Sequence, residues 1–297
     1  MSIKTIVCAF GGEAYELNAL SSALSLARAS HAVLRVVHIA APPLLPDAMG
    51  IGAYASAAYG DGEVVDMLEA DERQLTTEAE TLTRDYCERY VVPLRTQAEP
   101  VVMGQAQAYF RAEEGDIRVE LPRHALTADV IVTGYDNRPD GDLSSIIAGL
   151  FDASKPVLAI PRNPGVTLSP TGFARTVALA WDGSLGASRA LREAVPHMIH
   201  AEKVHVVRVT GGDDSGNAES DDLVKAYLAS HCISAEVVVA DRGRQSVGEA
   251  LLARAQALGA NLLVMGAYGH SHIGEMMWGG ATDYVVKHTQ IPLLLAH

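Results

Sequence analysis

The sequence predicts a twice-repeated α/β fold: two domains, each an open parallel sheet of five strands with helices on both faces. Three observations predict it. Short β-rich apolar runs alternate with amphipathic helical stretches, the order that gives parallel strands joined by crossover helices. A stretch rich in Pro, Gly and Thr, from Arg162 to Thr171, interrupts that alternation, and the alternation then starts again. The halves also close alike, on Lys155-Pro156-Val157-Leu158-Ala159 and on Ile291-Pro292-Leu293-Leu294-Leu295. A repeat on this scale makes two domains instead of a solenoid, because each half can bury its own sheet. The domains are placed at 1–163 and 172–297.

Taken in order, Thr5 to Phe10 is a β-rich run stopped by Gly11-Gly12. An Ala/Leu-rich helix is expected from about Glu16 to Ser30, followed by a strand over Val33 to Ile39. The Pro-, Ala- and Gly-rich residues 42–62 read as a long excursion, either a loop or a partner-contact segment. A charged helix follows over Val64 to Tyr90. A weaker strand is expected at Pro93 to Ala98, and a helix around Gln105 to Glu114. Asp129 to Gly134 and Pro156 to Pro161 are the last two strands of this half. In the second half, Thr176 to Gly183 matches Thr5 to Gly12 in placement. Helices are expected at Ser188–His200, Asp221–His231 and Val247–Leu258, and strands at Lys203–Val209, Ala235–Ala240 and Leu262–Met265.

The chain has 297 residues, 48% of them hydrophobic and only 5% aromatic, so the core must rest on Ala, Val, Leu and Ile. A net charge of −13 argues against nonspecific nucleic-acid binding, which needs a basic footprint. The three cysteines, Cys8, Cys87 and Cys232, form no close pair, which fits a reducing cytoplasm and neither a disulfide framework nor a zinc site. No run approaches the length that spans a bilayer, and the N-terminus lacks the layout of a signal peptide.

The stretch that bears chemistry is Met265 to Thr282. Gly266 and Gly269 follow the apolar run Asn261 to Met265, and Gly279-Gly280 precede an expected helix beginning near Asp283. Glycines between a strand end and a helix start can bring backbone N–H groups to an anion, where the helix dipole also favours negative charge. On the glycines alone, a phosphate cradle and a glycine-eased crossover fit equally well. Asp182 ends the first strand of the same half. Ligands of open parallel sheets sit at the carboxyl ends of strands, where strand order reverses. A carboxylate there can accept hydrogen bonds from an adenine amine or a ribose hydroxyl, or can simply cap the next helix. Trp181 could border a base or belong to the core. Arg242 and Arg244 are candidate phosphate counter-charges or solvated surface arginines.

This pattern resembles the universal stress protein family, whose nucleotide-binding members carry Gly-x2-Gly-x9-Gly-Ser/Thr after the fourth strand and an Asp ending the first. Here those elements are Gly266-Ala267-Tyr268-Gly269, Gly279-Gly280 and Ala180-Trp181-Asp182-Gly183. Gly280 stands where the family has Ser or Thr, which removes a hydroxyl contact to phosphate. The resemblance covers both halves. It implies a sheet ordered 3-2-1-4-5 in each half, packed against each other as an intramolecular pseudo-dimer, with a homodimer of whole chains also open. It implies ATP, ADP or AMP, with Mg2+ as a companion ion, held by Ala180, Trp181, Asp182 and Val209 on one side. Met265, Gly266, Gly269, Gly279, Gly280 and Ala281 would hold it on the other, with Arg242 beside the phosphates. A protein partner of unknown identity would read the nucleotide state.

The first half departs further. Gly11 takes the place of Asp182, and Asn137 replaces the second glycine. Asp136, Asp140 and Asp142 put negative charge where phosphates would lie, and Pro139 removes an amide donor. No nucleotide is expected there. These aspartates read as a solvated acidic loop before a divalent-metal site. His270-Ser271-His272 reads as a loop, since no third metal ligand is tied to it by spacing. Thr210 to Ser215 is similar to the pyrophosphate loop of ATP pyrophosphatases but follows the wrong strand, which leaves an adenylating enzyme as a remote reading. Ser184 and Ser188 lie near the site with no base tied to them, so no catalytic residue is assigned and at most slow ATP hydrolysis is expected. A protein that has lost nucleotide binding and acts through its surfaces is the other reading.

Overall fold

The computed structural model describes residues 2–40, 61–96, 98–138, 140–164, 174–211, 218–267 and 280–297, with the side chains of 61–69 and 218 excepted. The excursion at 42–62, the interior of the linker, most of the Thr210–Ser215 loop, Pro139, the His270–His272 pair and the glycines Gly269 and Gly279 lie outside these residues or mostly so.

The N-terminal half runs β1 (Thr5–Ala9), a short 3-10 turn (Ala14–Glu16), α1 (Leu17–Ser30), β2 (Val33–Ala40), α2 (Asp61–Tyr90), β3 (Leu94–Arg95) and β4 (Gln107–Glu114). It continues through α3 (Ile117–Ala125), β5 (Val130–Tyr135), α4 (Ser144–Ile147) with a π-helical turn over Ala148–Asp152, and β6 (Val157–Pro161). The C-terminal half runs β7 (Thr176–Ala180), α5 (Leu185–Met198), β8 (Lys203–Thr210), α6 (Ala218–Ser230) and β9 (Ala235–Asp241). It ends with α7 (Val247–Ala257), β10 (Leu262–Gly266), α8 (Gly280–His288) and β11 (Leu293–Ala296).

All strands join one eleven-stranded sheet in the order β3-β4-β2-β1-β5-β6-β11-β10-β7-β8-β9. Within each half the main strands are parallel and ordered 3-2-1-4-5, with β4, β2, β1, β5, β6 answering β9, β8, β7, β10, β11. The halves meet where β6 pairs antiparallel with β11, Leu293 opposite Ala159 and Leu295 opposite Val157. The two closing runs that look alike in sequence are therefore each other's neighbours. Alternation along the strands sorts the core into two layers. Ile6, Cys8, Leu34, Val177, Leu179 and Val206 face α1, α2, α5 and α6. Val7, Ala9, Val37, Ala178, Val207 and Leu263 face α3, α7 and α8. Tyr135, fully buried, crosses between the halves, its hydroxyl donating to the carbonyl of Val286 at 3.0 Å.

Several elements of the first half differ from the sequence expectation, among them α4, which was not anticipated. The third main strand of the first half is Gln107–Glu114, where a helix was expected, and Pro93–Ala98 supplies only the two-residue edge strand β3. Gln, Ala, Arg and Glu are helix formers, but all eight residues of β4 pair in register with Val33–Ala40 of β2. Tertiary pairing overrides local preference here. Helix α3 was not anticipated. It carries Pro122 inside it and begins at Asp116, whose carboxylate accepts from the Arg118 amide at 2.8 Å.

Candidate functional site

Strand β7 ends at the carboxyl rim of the C-terminal sheet, and one more bond, from the Trp181 amide to the Val207 carbonyl at 2.9 Å, carries the pairing past Ala180. The chain then turns sharply. Asp182 Oδ1 accepts from the Ser184 amide at 2.9 Å, and Gly183 takes a left-handed φ of 74°. A Cβ at Gly183 would also lie 3.0 Å from Ser220 Oγ. Ser184 is the N-cap of α5, its hydroxyl accepting from the Ala187 amide at 3.1 Å. Asp182 is thus not the cap of that helix. It shapes the turn before it and stays exposed.

On the neighbouring strand, β10 delivers Met265 and Gly266 to the same rim, and Ala267 continues by donating to Ala296 O at 2.7 Å. Helix α8 starts at Gly280, and Thr282 ties that start back to β10 by donating to Gly266 O at 3.4 Å. Between these ends lies a cavity of 420 Å³. Ala180, Trp181, Asp182 and Ser184 line it from the β7 side, and Met265, Gly266, Gly280, Ala281 and Thr282 from the β10 side. Val207 and Val209 of β8, with Val247 and Leu251 of α7, supply an apolar wall.

Eight of the eleven residues singled out from the sequence line this cavity: Ala180, Trp181, Asp182, Val209, Met265, Gly266, Gly280 and Ala281. Gly269 and Gly279 lie outside the described residues. Arg242 does not reach it. Its guanidinium lies over Gly211, where an added Cβ would meet Nε at 3.0 Å, and its Nη1 donates to Gln245 O at 3.4 Å. The reason is topological. Arg242 follows β9, two strands away from β7, so it sits at the far end of the rim. Trp181 has a second tie, its indole N–H donating to Ser220 Oγ at 2.9 Å. The sequence reading missed Ala187, Val207, Val247, Leu251 and Thr282. Val207 lies two residues from Val209 on one strand, and Val247 and Leu251 are an i, i+4 pair on one helix, so their common faces were readable.

Gly266 has a steric duty of its own. A Cβ there would sit 2.6 Å from the carbonyl carbon of Gly186 and 2.8 Å from its oxygen. Gly266 therefore lets the first turn of α5 press onto β10, whatever occupies the cavity. Gly280 is unlike it, with no heavy atom of the described residues within 4 Å of an added Cβ.

The chemistry of this wall suits a flat apolar group beside one hydrogen-bond acceptor. Asp182 is the only charged residue among the described lining residues. It can accept from an amine or a hydroxyl. The amide groups at the start of α8 are the donors available to an anion. No cation among the described lining residues supports a phosphate, and no group of three metal-ligating side chains occurs among the described residues. A group that donates to Asp182 and lies on the apolar wall fits this lining better than a bare anion does.

The equivalent rim of the N-terminal half is filled from within. The Phe10 amide bonds Val37 O at 3.0 Å, matching Trp181 and Val207, so Gly11 occupies the place of Asp182. The carboxylate of Glu16 folds back over it and accepts from the amides of Gly11 at 2.8 Å and Glu13 at 3.1 Å. Burial pushes the Glu16 carboxyl up to about 7 in spite of those amides. Gly134 answers Gly266, and an added Cβ there would meet the Glu16 Cα at 2.9 Å. The acidic loop is not a bare negative patch. Asp136 is buried and holds Arg138 Nε at 2.8 Å and Arg162 Nη1 at 2.9 Å. Those guanidiniums hold its carboxyl below the usual range. Asp142 accepts from the Ser144 amide at 2.8 Å. Repulsion of phosphate is therefore weaker than the sequence suggests, and an internal carboxylate on the local amides is the stronger obstacle.

Residues 174–297 match the universal stress protein family. No curated protein gives a match in sequence. Among solved structures, a universal stress protein from Archaeoglobus fulgidus DSM 4304 aligns over 98% of this chain and 97% of its own, at 14% identity and a TM-score of 0.70. A functionally unknown protein from Pseudomonas aeruginosa PAO1 aligns over 99% of this chain and 92% of its own, at 13% identity and a TM-score of 0.58. A putative universal stress protein from Pseudomonas aeruginosa UCBPP-PA14 aligns over 99% and 93%, at 13% identity and 0.55. At these identities the likeness is one of fold, and it extends over both halves.

Proposed function

Because residues 174–297 belong to the universal stress protein family, we propose that this half binds an adenine nucleotide in the cavity between β7 and β10. The observation that carries the reading is the meeting of Ala180, Trp181, Asp182, Val209, Met265 and Gly266 around one 420 Å³ space at the carboxyl rim. In this reading Asp182 accepts from the base or ribose, and Val207, Val209 and Leu251 flank the base. The α8 start, with Gly280 and Ala281, faces the phosphates, and Gly269 and Gly279, the other glycines of the sequence pattern, lie outside the described residues. Arg242 is not among the lining residues, its guanidinium lying over Gly211, so in this reading the phosphates rest on backbone amides and solvent ions such as Mg2+. That favours a nucleotide with few phosphates.

The same reading divides the chain into a first unit at 1–163, whose rim is closed by Glu16, and a second at 172–297 that holds the ligand. The protein is then a signalling or partner-binding module in the cytoplasm and not an enzyme. No described helix is long and apolar enough to cross a membrane. Calorimetry of the full chain with AMP, ADP and ATP tests the proposal. Saturable binding is expected, weakened about tenfold or more in Asp182→Ala by loss of a hydrogen bond to a charged acceptor. Absence of binding at millimolar nucleotide would sink it.

The second reading is an interaction protein without a nucleotide. Gly280 in place of a hydroxyl and the remote position of Arg242 favour it. Mass spectrometry of small molecules released on denaturation separates the two, since only the first expects an adenine nucleotide to co-purify.

A further inference from the structure

A second cavity, of 510 Å³, lies on one face of the N-terminal sheet, away from the rim. Strand register explains its chemistry. Val7, Arg35, Tyr109 and Arg95 stand in one row across β1, β2, β4 and β3, and so share a face. Val37 and Arg111 form the next row on that face, two residues along. Helix α3 covers the inner part of the face through Leu121 and Ala125. The cavity opens where that cover ends, and His124 and Thr127 form its lip.

The charges on this wall do not cancel. Arg95 pairs with Glu99 at 2.8 Å, and Arg111 pairs with Glu113. Among the described residues Arg35 has only neutral acceptors, the His124 carbonyl at 3.2 Å and Thr127 Oγ1 at 2.7 Å. A guanidinium has five N–H donors, so three of them remain without a partner among the described residues. Burial works against the Arg35 charge, and no carboxylate offsets that effect. Arg95 Nε, in the same row, is buried with no hydrogen-bond partner among the described residues. The C-terminal half is an internal control. There the positions of Arg35, Tyr109 and Arg111 hold His205, Glu236 and Val238, and His205 faces Glu236 at 3.5 Å. The uncompensated arginine belongs to the first half.

We propose that this cavity binds a small organic acid with a single carboxylate on an apolar body. Arg35 takes the carboxylate, with Arg111 beside it. Val33, Val37, Val101 and the Tyr109 ring pack against the body. Glu99, which lines the cavity beside Arg95, and Glu113, paired with Arg111, disfavour multiply charged anions such as nucleotides. The volume is in the range of ordinary small-molecule sites. The site is independent of the nucleotide cavity.

The test is calorimetry on the full chain at low salt with benzoate as the probe and benzamide as its uncharged counterpart. Saturable 1:1 binding of benzoate is expected, with benzamide at least about tenfold weaker. Arg35→Met should weaken benzoate about tenfold or more. Val101→Trp, at a position 56% exposed, fills the mouth without touching the core and should also weaken it. It decides the matter if Arg35→Met fails to fold. Asp182→Ala should leave benzoate binding unchanged. No saturable benzoate binding, equal binding of benzamide, or full affinity in the Val101→Trp variant would each overturn the proposal.

Discussion

Replacing Gly266 by alanine puts the packing of helix on strand beneath the rim cavity to a direct test. The new methyl would lie 2.6 Å from the Gly186 carbonyl carbon, 2.8 Å from its oxygen and 3.0 Å from the Ala187 nitrogen. Favourable carbon contact needs about 3.5–4.0 Å, so α5 must retreat from β10 by roughly 1 Å. All three atoms are backbone, so no rotamer change relieves the clash. Retreat loosens the layer in which Ala190 and Ala194 of α5 pack on Leu262 and Val264 of β10. Overpacking of this kind costs about 1–3 kcal/mol. In a chain of this size each kcal/mol lowers Tm by about 2–4 °C, so the melting temperature should fall by roughly 5 °C. Differential scanning calorimetry of Gly266→Ala beside Gly280→Ser is the assay. An added Cβ at Gly280, an exposed position, meets nothing within 4 Å among the described residues, so that variant should melt within about 1 °C of the parent, since surface changes are usually small. Equal melting of Gly266→Ala and the parent would refute the steric account of this glycine.

Two further predictions concern the first half and the junction. The Glu16 carboxyl is raised from 4.5 to about 7 by burial, so the folded state keeps a proton that the unfolded chain has released. Its stability contribution is present below pH 4.5 and is lost as pH rises through about 7. Urea midpoints measured from pH 5 to pH 8 should therefore fall less steeply in Glu16→Gln than in the parent, and parallel slopes would contradict the assignment. Tyr135→Phe removes the hydroxyl bonded to Val286 O and leaves a buried carbonyl unpaired, which should cost about 1–2 kcal/mol in urea unfolding. An unchanged midpoint would show that the bond contributes nothing.

The parallel α/β fold was legible because the strongest strands are buried on both faces and read as apolar runs. Val130–Tyr135, Val157–Pro161, Leu262–Gly266 and Leu293–Ala296 are of this kind. Strand β4 was not, because it borders an open cavity and carries Arg111 and Tyr109 where a closed layer would have Val or Leu. Its residues suit a helix locally, and only pairing with β2 decides otherwise. The cavity at the β7–β10 rim was legible in outline, since Asp182 and Gly266 sit at strand ends that the repeat identifies. The duty of Gly266 toward Gly186 was not, because it depends on how close a helix comes. Arg242 was assigned by its charge and by a loop expected to flank the reversal of strand order, and the strand order puts that loop after β9, two strands from β7. Glu16 escaped notice because its role comes from a side chain folding back five residues onto Gly11.

The antiparallel pairing of β6 with β11 has a consequence for assembly. It uses up, inside a single molecule, the two sheet borders at which one half could recruit another. The borders that remain are β3 and β9 at the far ends. Two copies of this chain must then meet through those ends or through their helical faces. The same pairing reverses strand direction midway, so the rim bearing Asp182 and the rim closed by Glu16 point to opposite poles of the molecule. A protein that responds to one pole can do so without contact with the other.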